Sequence, residues 1–160
     1  MKDWKPLKIA VESKNVWAFM RAIRFCEGTY DEDGYRRIVG GQLFTDFSRH
    51  PGKLIHIERY NVWSSAAGAY QITRTTWNAL VRMYGFPDFT PATQDLAAVA
   101  LIQGRGALPA VLSGDLAAAV HWCAPEWASL PGSKAGQRVE HFSNLRRIYL
   151  ENGGIIKGEA

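Results

Sequence analysis

The chain has 160 residues, 47% of them apolar and 21% charged. That balance fits a single folded domain around one core and excludes extended disorder except at the two ends. The net charge of +4 favours anionic partners such as nucleic acid, a membrane surface or a bacterial cell wall. The only adjacent basic pairs, Arg36-Arg37 and Arg146-Arg147, are too sparse for a nucleic-acid stripe, so no nucleic-acid partner is expected.

The N-terminal stretch MKDWKPLKIAVESK holds no apolar run long enough for the core of a signal peptide. Synthesis in the cytoplasm without an export signal is therefore expected, and residues 1–13 read as a loose lead-in. No apolar stretch is long enough to span a membrane, and no stable membrane association is expected. The first firm helix is predicted over residues 16–26, with Asn15 as its cap and Gly28 just past its end. Val16, Met20, Ile23 and Glu27 fall on one face of it, which places a carboxylate at the end of an apolar stripe.

Residues 28–63 change character. Glycine is frequent, Gly40-Gly41 offers a turn between Ile38-Val39 and Leu43-Phe44, and LIHIE (54–58) partly alternates like a short strand. From about Ala69 a helical pattern returns, with Trp77, Leu80, Val81 and Tyr84 on one stripe. Thr90-Pro91 is expected to cap and start the next helix, whose stretch 96–102 should be the central buried segment. Two short helices follow near 108–112 and 116–122, then a loop at 129–137 and a last helix over about 139–151, which leaves 153–160 as a tail. The expected fold class is α+β, mainly α, with a small irregular β region.

Cys26 and Cys123 form no CxxC motif, and His50, His56, His121 and His141 form no HExxH motif. Free buried thiols are expected, with no metal and no cofactor. Glu27 is the first candidate for chemistry. Burial and the negative end of the helix dipole both disfavour its charged form, and a glutamic acid still protonated near neutrality can act as a general acid. Periodicity alone favours the plainer reading, a glutamate that bends out to solvent or caps a neighbouring amide. Asp46 is a candidate second carboxylate, but LFTDFSRHP reads more simply as a loop held by a turn-forming aspartate. Asp31, Glu32 and Asp33 read as a solvated cluster.

The segment SSAAGAYQITRTTW (64–77) runs from small residues into a helix. Ser65 and Gly68 would let a ligand approach the backbone closely, while Tyr70 offers a stacking face and Gln71 an amide. That combination suits an N-acetylated sugar, although a loop packed by its own tyrosine is the plainer reading. Trp63, near this loop, is a candidate for a groove wall.

At these residues the chain resembles the lambda-type phage endolysins, lytic transglycosylases that act on peptidoglycan. The resemblance is carried by CEGT (26–29), IVGGQLFTDFSRHP (38–51), GAYQI (68–72), and RGALP (105–109) with WASLPG (127–132). It implies a lysozyme-like fold with a groove between a helical lobe and the β region, flanked by loops near 57–66 and 129–140. It also implies that Glu27 is the catalytic acid, that GAYQI, with Gly68, Tyr70 and Gln71, is the sugar-site motif, and that the partner is a peptidoglycan glycan strand; Ser65, Trp63 and Asp46 are expected beside that motif from their positions in the chain. The implied product carries a 1,6-anhydro ring on N-acetylmuramic acid. Cys26 departs from the serine expected before the glutamate, and SKAGQRVEH (133–141) departs from the family's lower loop.

Three other readings follow from the same residues. They are a hydrolytic muramidase using Glu27 with Asp46, a silent wall-binding module, and a nucleic-acid binder resting on charge alone. The expected setting is lysis of a host cell by a phage or prophage. A monomer would act in the periplasm on the cell wall, released by a separate membrane-permeabilising protein.

Overall fold

The structure is a computed structural model that describes residues 1–159. Its α-helices are α1 (Lys5–Val11), α2 (Lys14–Glu27), α3 (Arg74–Tyr84), α4 (Pro91–Gly104), α5 (Leu108–Ser113), α6 (Leu116–Cys123) and α7 (Phe142–Glu151). A two-stranded antiparallel sheet, β1 (Ile55–Ile57) with β2 (Val62–Ser64), pairs His56 with Trp63.

Helix α2 forms because its apolar residues recur at helical spacing. Val16, Phe19, Met20 and Ile23 are fully enclosed, each contributing roughly 1.5–3 kcal/mol of burial. Its N-cap is Ser13, which accepts from the Val16 amide at 3.4 Å. Asn15 does not cap the helix as expected. It donates to the Leu112 carbonyl and accepts from the Ile155 amide, tying α5 and the C-terminal segment to α2. Gly28 ends the helix at φ +73°, in the left-handed region that costs glycine little. The expected central helix is α4, where Ala97, Ala98, Val99 and Ile102 are fully buried between α1, α2, α3 and α5.

Several expectations need correction. The stretch 1–13 is not loose, because Leu7 and Ala10 of α1 are buried against α4 and the Trp4 indole donates to the Tyr84 carbonyl. The tail is not free either: the Lys157 amide donates to the Gly114 carbonyl, and Ile156 packs on the core. The helix expected from Ala69 begins at Arg74, capped by Thr73, since residues 65–72 are committed to bridges pairing Ala67 with Ile38 and Ile72. Thr90 occupies the N-cap position of α4, but its hydroxyl donates to Asp88. The last helix begins at Phe142, not near 139. Gly40-Gly41 makes the expected turn, yet its flanks form only an isolated bridge, Arg37 with Leu43.

Candidate active site

The site is built where the end of α2 meets the loop that follows α6. Glu27 is the last residue of α2 and is half-buried. The Ser129 hydroxyl donates to Glu27 Oε1 at 2.8 Å. Burial raises the carboxyl from 4.5 to about 7, a rise that the Ser129 hydrogen bond opposes. The group is therefore largely protonated in mildly acidic solution and can give up its proton near neutrality, as a general acid must.

Ser129 was not singled out from the sequence, and three contacts fix it. Its carbonyl accepts from the Glu140 amide at 2.8 Å, closing the base of the loop between them. The Leu130 amide donates to the Trp127 carbonyl, making a tight turn. The buried Trp127 indole donates to the Tyr70 carbonyl at 3.0 Å, clamping that turn to the GAYQI segment. Glu140 is itself buried. Its carboxyl accepts from Asn144 and Arg138 side chains and from the His141 amide, and the Asn144 bond leads in holding it below its ordinary value. At the far end of the loop, the Arg138 amide donates to the Tyr60 hydroxyl at the tip of the β hairpin. The loop thus spans from the Glu27 carboxyl to the hairpin, and so joins the two segments that the resemblance places beside the groove.

The tyrosine of the GAYQI segment follows the plainer reading, a loop packed by its own tyrosine, and not the stacking one. Tyr70 offers no stacking face, being 1% exposed. Its hydroxyl donates to Asp95 Oδ1 at 2.6 Å, and the Tyr35 hydroxyl donates to the same oxygen at 2.9 Å. Burial pushes the Tyr70 phenol well above its usual range and also raises the Asp95 carboxyl. Gln71 spends its amide group on the Arg37 and Gly68 carbonyls. Gly68 sits at φ +80°, and a Cβ there would meet the Gln94 carboxamide oxygen at 2.3 Å, so its smallness serves packing. That same Gln94 oxygen accepts from the Ala69 amide. Ser65 is buried and accepts from the Arg74 amide at the start of α3.

Asp46 is exposed and behaves as the turn-forming aspartate of the plainer reading. It accepts from the Ser48 amide at 2.8 Å, and hydrogen bonds to Ser48 hold its carboxyl below its ordinary value. Asp31 is paired with Arg37 at 3.0 Å on the surface. Trp63 is 68% exposed on β2 beside the His56 ring, free to meet a ligand. Cys26 and Cys123 are buried free thiols, which burial pushes to about 12, so neither is a nucleophile near neutrality. Arg24, buried under the helix end, donates to the Thr29 and Asp31 carbonyls and holds the chain that leaves Glu27.

Comparison with known proteins gives a consistent answer. The family model described as Endolysin matches residues 17–156. The endolysin of Escherichia phage lambda is 38% identical over 146 residues, covering 88% of this chain and 92% of that one. The endolysin of Escherichia phage P2 is 34% identical over 156 residues, covering 89% and 94%. Among solved structures, the bacteriophage lambda lysozyme complexed with a chitohexasaccharide superposes with a TM-score of 0.85 at 37% identity, over 90% of this chain and 97% of that one. A further structure of lysozyme from bacteriophage lambda gives 0.80 at 36% identity, with the same coverage.

Proposed function

The chain belongs to the endolysin family, and on that premise we propose that it cleaves peptidoglycan as a lytic transglycosylase, with Glu27 serving first as acid and then as base. It is a lysozyme-like, glycan-cleaving enzyme, and the chitohexasaccharide in the related structure supports a glycan strand as its substrate. The observation that carries the reading is the Glu27 carboxyl itself. It is half-buried, raised to about 7, and among the described residues accepts a hydrogen bond from Ser129 alone.

In the first step Glu27 donates its proton to the oxygen joining N-acetylmuramic acid to N-acetylglucosamine. The bond to C1 of the muramic residue breaks, leaving an oxocarbenium-like centre there. Glu27, now a carboxylate, takes the proton from the C6 hydroxyl of the same sugar, and that oxygen closes on C1. The proton returns to Glu27, and the product is a 1,6-anhydro ring. One residue with a pKa near the working pH can do both halves. Hydrolysis through paired carboxylates needs a second one across the bond. The exposed, turn-bound state of Asp46 lends that alternative no support.

In this reading Trp63 contacts sugar, while Ser65, Gly68, Tyr70 and Gln71 hold the backbone behind the site. The enzyme works as a monomer on the wall and depends on a separate membrane-permeabilising protein for access. Among the described residues, no helix is long and apolar enough to cross a membrane. The test is a digest of purified peptidoglycan. The muropeptides should be lighter by one water than hydrolytic products and should resist borohydride. Borohydride-reducible ends on most products would overturn transglycosylation.

A further inference from the structure

A hollow of about 810 Å³ lies on the α6 side of the 129–140 loop and takes no lining residue from the β region or from α2. Its walls are the end of α6, the segment 131–135 and the first residue of α7. Val120, Trp122, Pro131 and Phe142 make it mainly apolar, and Trp122 and Phe142 stand 54% and 38% exposed there. The ionisable side chains in its lining are Lys134 and His121, with no carboxylate among them. A hollow of this kind accepts small apolar groups while its charge selects for an acid.

Its position supplies the second observation. Pro131, part of the wall, is two residues beyond Ser129, whose hydroxyl touches Glu27. Two residues of chain reach at most about 7 Å. The hollow is therefore walled by the same loop whose Ser129 touches Glu27. A muramic residue at the scissile bond carries, through its lactyl ether, a short peptide of small apolar and carboxylate-bearing residues. With its glycosidic oxygen at Glu27, the muramic residue brings that branch within reach of this loop.

We propose that the hollow between α6 and the 131–135 segment receives this acidic stem peptide, so that the enzyme reads the peptide as well as the glycan strand. The proposal rests on the glycan-cleaving function argued above. It predicts faster cleavage of strands that keep their peptides than of bare ones.

The test compares kcat/KM on peptidated glycan strands with that on the same strands stripped by an amidase. Ala117, in the lining and exposed on α6, tolerates Ala117→Glu without core damage. That variant and Trp122→Ala should each lose about tenfold on peptidated strands and be unchanged on stripped ones, with Tm confirming that both fold. Equal losses on both substrates, or no loss on either, would overturn the peptide pocket. A wild-type dimer that Trp122→Ala dissociates would assign the face to a second copy and overturn it as well. Failure of the wild type to cut either substrate would contradict the glycan-cleaving function itself. Normal cutting of both by all three proteins would contradict only the pocket.

Discussion

Two motifs that look equally functional in the sequence are used in opposite ways. CEGT leaves its glutamate at the end of a buried helix face, half-open and with its carboxyl raised to about 7. GAYQI turns its tyrosine inward, where the hydroxyl is consumed by Asp95, the carbonyl by Trp127 and the neighbouring amide by Gln94. The first segment leaves a carboxyl half-open on a rigid support. The second is part of the support, and the Trp127–Tyr70 bond is how it reaches Ser129 and, through it, Glu27.

The sharpest way to break this contrast is Glu27→Gln. Lysis should fall by at least about a hundredfold, since a general acid typically contributes 10²–10⁴. Stability should move the other way. The folded-state value is raised from 4.5 to about 7, so native Glu27 favours its proton and the wild type loses stability as pH rises through that window. The amide has no such loss. Thermal melts should show the variant ahead above about pH 7, on the order of 3 kcal/mol, and the difference should vanish below pH 4.5. A variant that lyses normally would remove Glu27 from the chemistry.

Tyr70→Phe is the matching test of the buried motif. It keeps the ring and deletes the hydroxyl bonded to Asp95, so it should cost about 1–3 kcal/mol of stability with KM unchanged. A raised KM with unchanged Tm would mean that the hydroxyl meets sugar after all.

The Glu27 side of the contrast was legible in the sequence, and the missing side has a physical cause. The face of α2 is a local pattern, since side chains three and four apart must share a side, and so Glu27 could be placed from the chain alone. The destination of Tyr70 depends on Asp95, Gln94 and Trp127, which lie 25, 24 and 57 residues away and leave no periodic trace near it. Ser129 was passed over for the same reason, because its role exists only once the Trp127 turn is clamped to Tyr70. The N-terminal stretch looked loose because α1 is short and lysine-rich; only Leu7 and Ala10 face inward, and α4 supplies what covers them. The two-residue turn at Gly40-Gly41 was readable, being local chemistry, whereas the start of α3 was not, because bridges to Ala67 decided it.

Smaller effects sharpen the picture. Ser129→Ala should lower kcat several-fold, less than Glu27→Gln does. It should also shift the alkaline limb of the pH–rate profile upward, because the lost hydrogen bond had held the Glu27 value down. An unmoved limb would show that the serine does not tune the acid. Trp63→Ala should raise KM by less than about tenfold, with kcat intact, as expected for an exposed platform worth about 1 kcal/mol. Asp46→Asn should change activity least, within about twofold, because it perturbs one exposed turn. A loss comparable to that of Glu27→Gln would restore the two-carboxylate muramidase.

The most direct test of the one-carboxylate mechanism is a digest in heavy-oxygen water, followed by mass spectrometry of the newly formed muramic ends. Closure by the sugar's own C6 hydroxyl admits no solvent oxygen, so the account predicts unlabelled 1,6-anhydro products. Heavy oxygen incorporated at C1 of the new ends would show that water is the nucleophile and would contradict it.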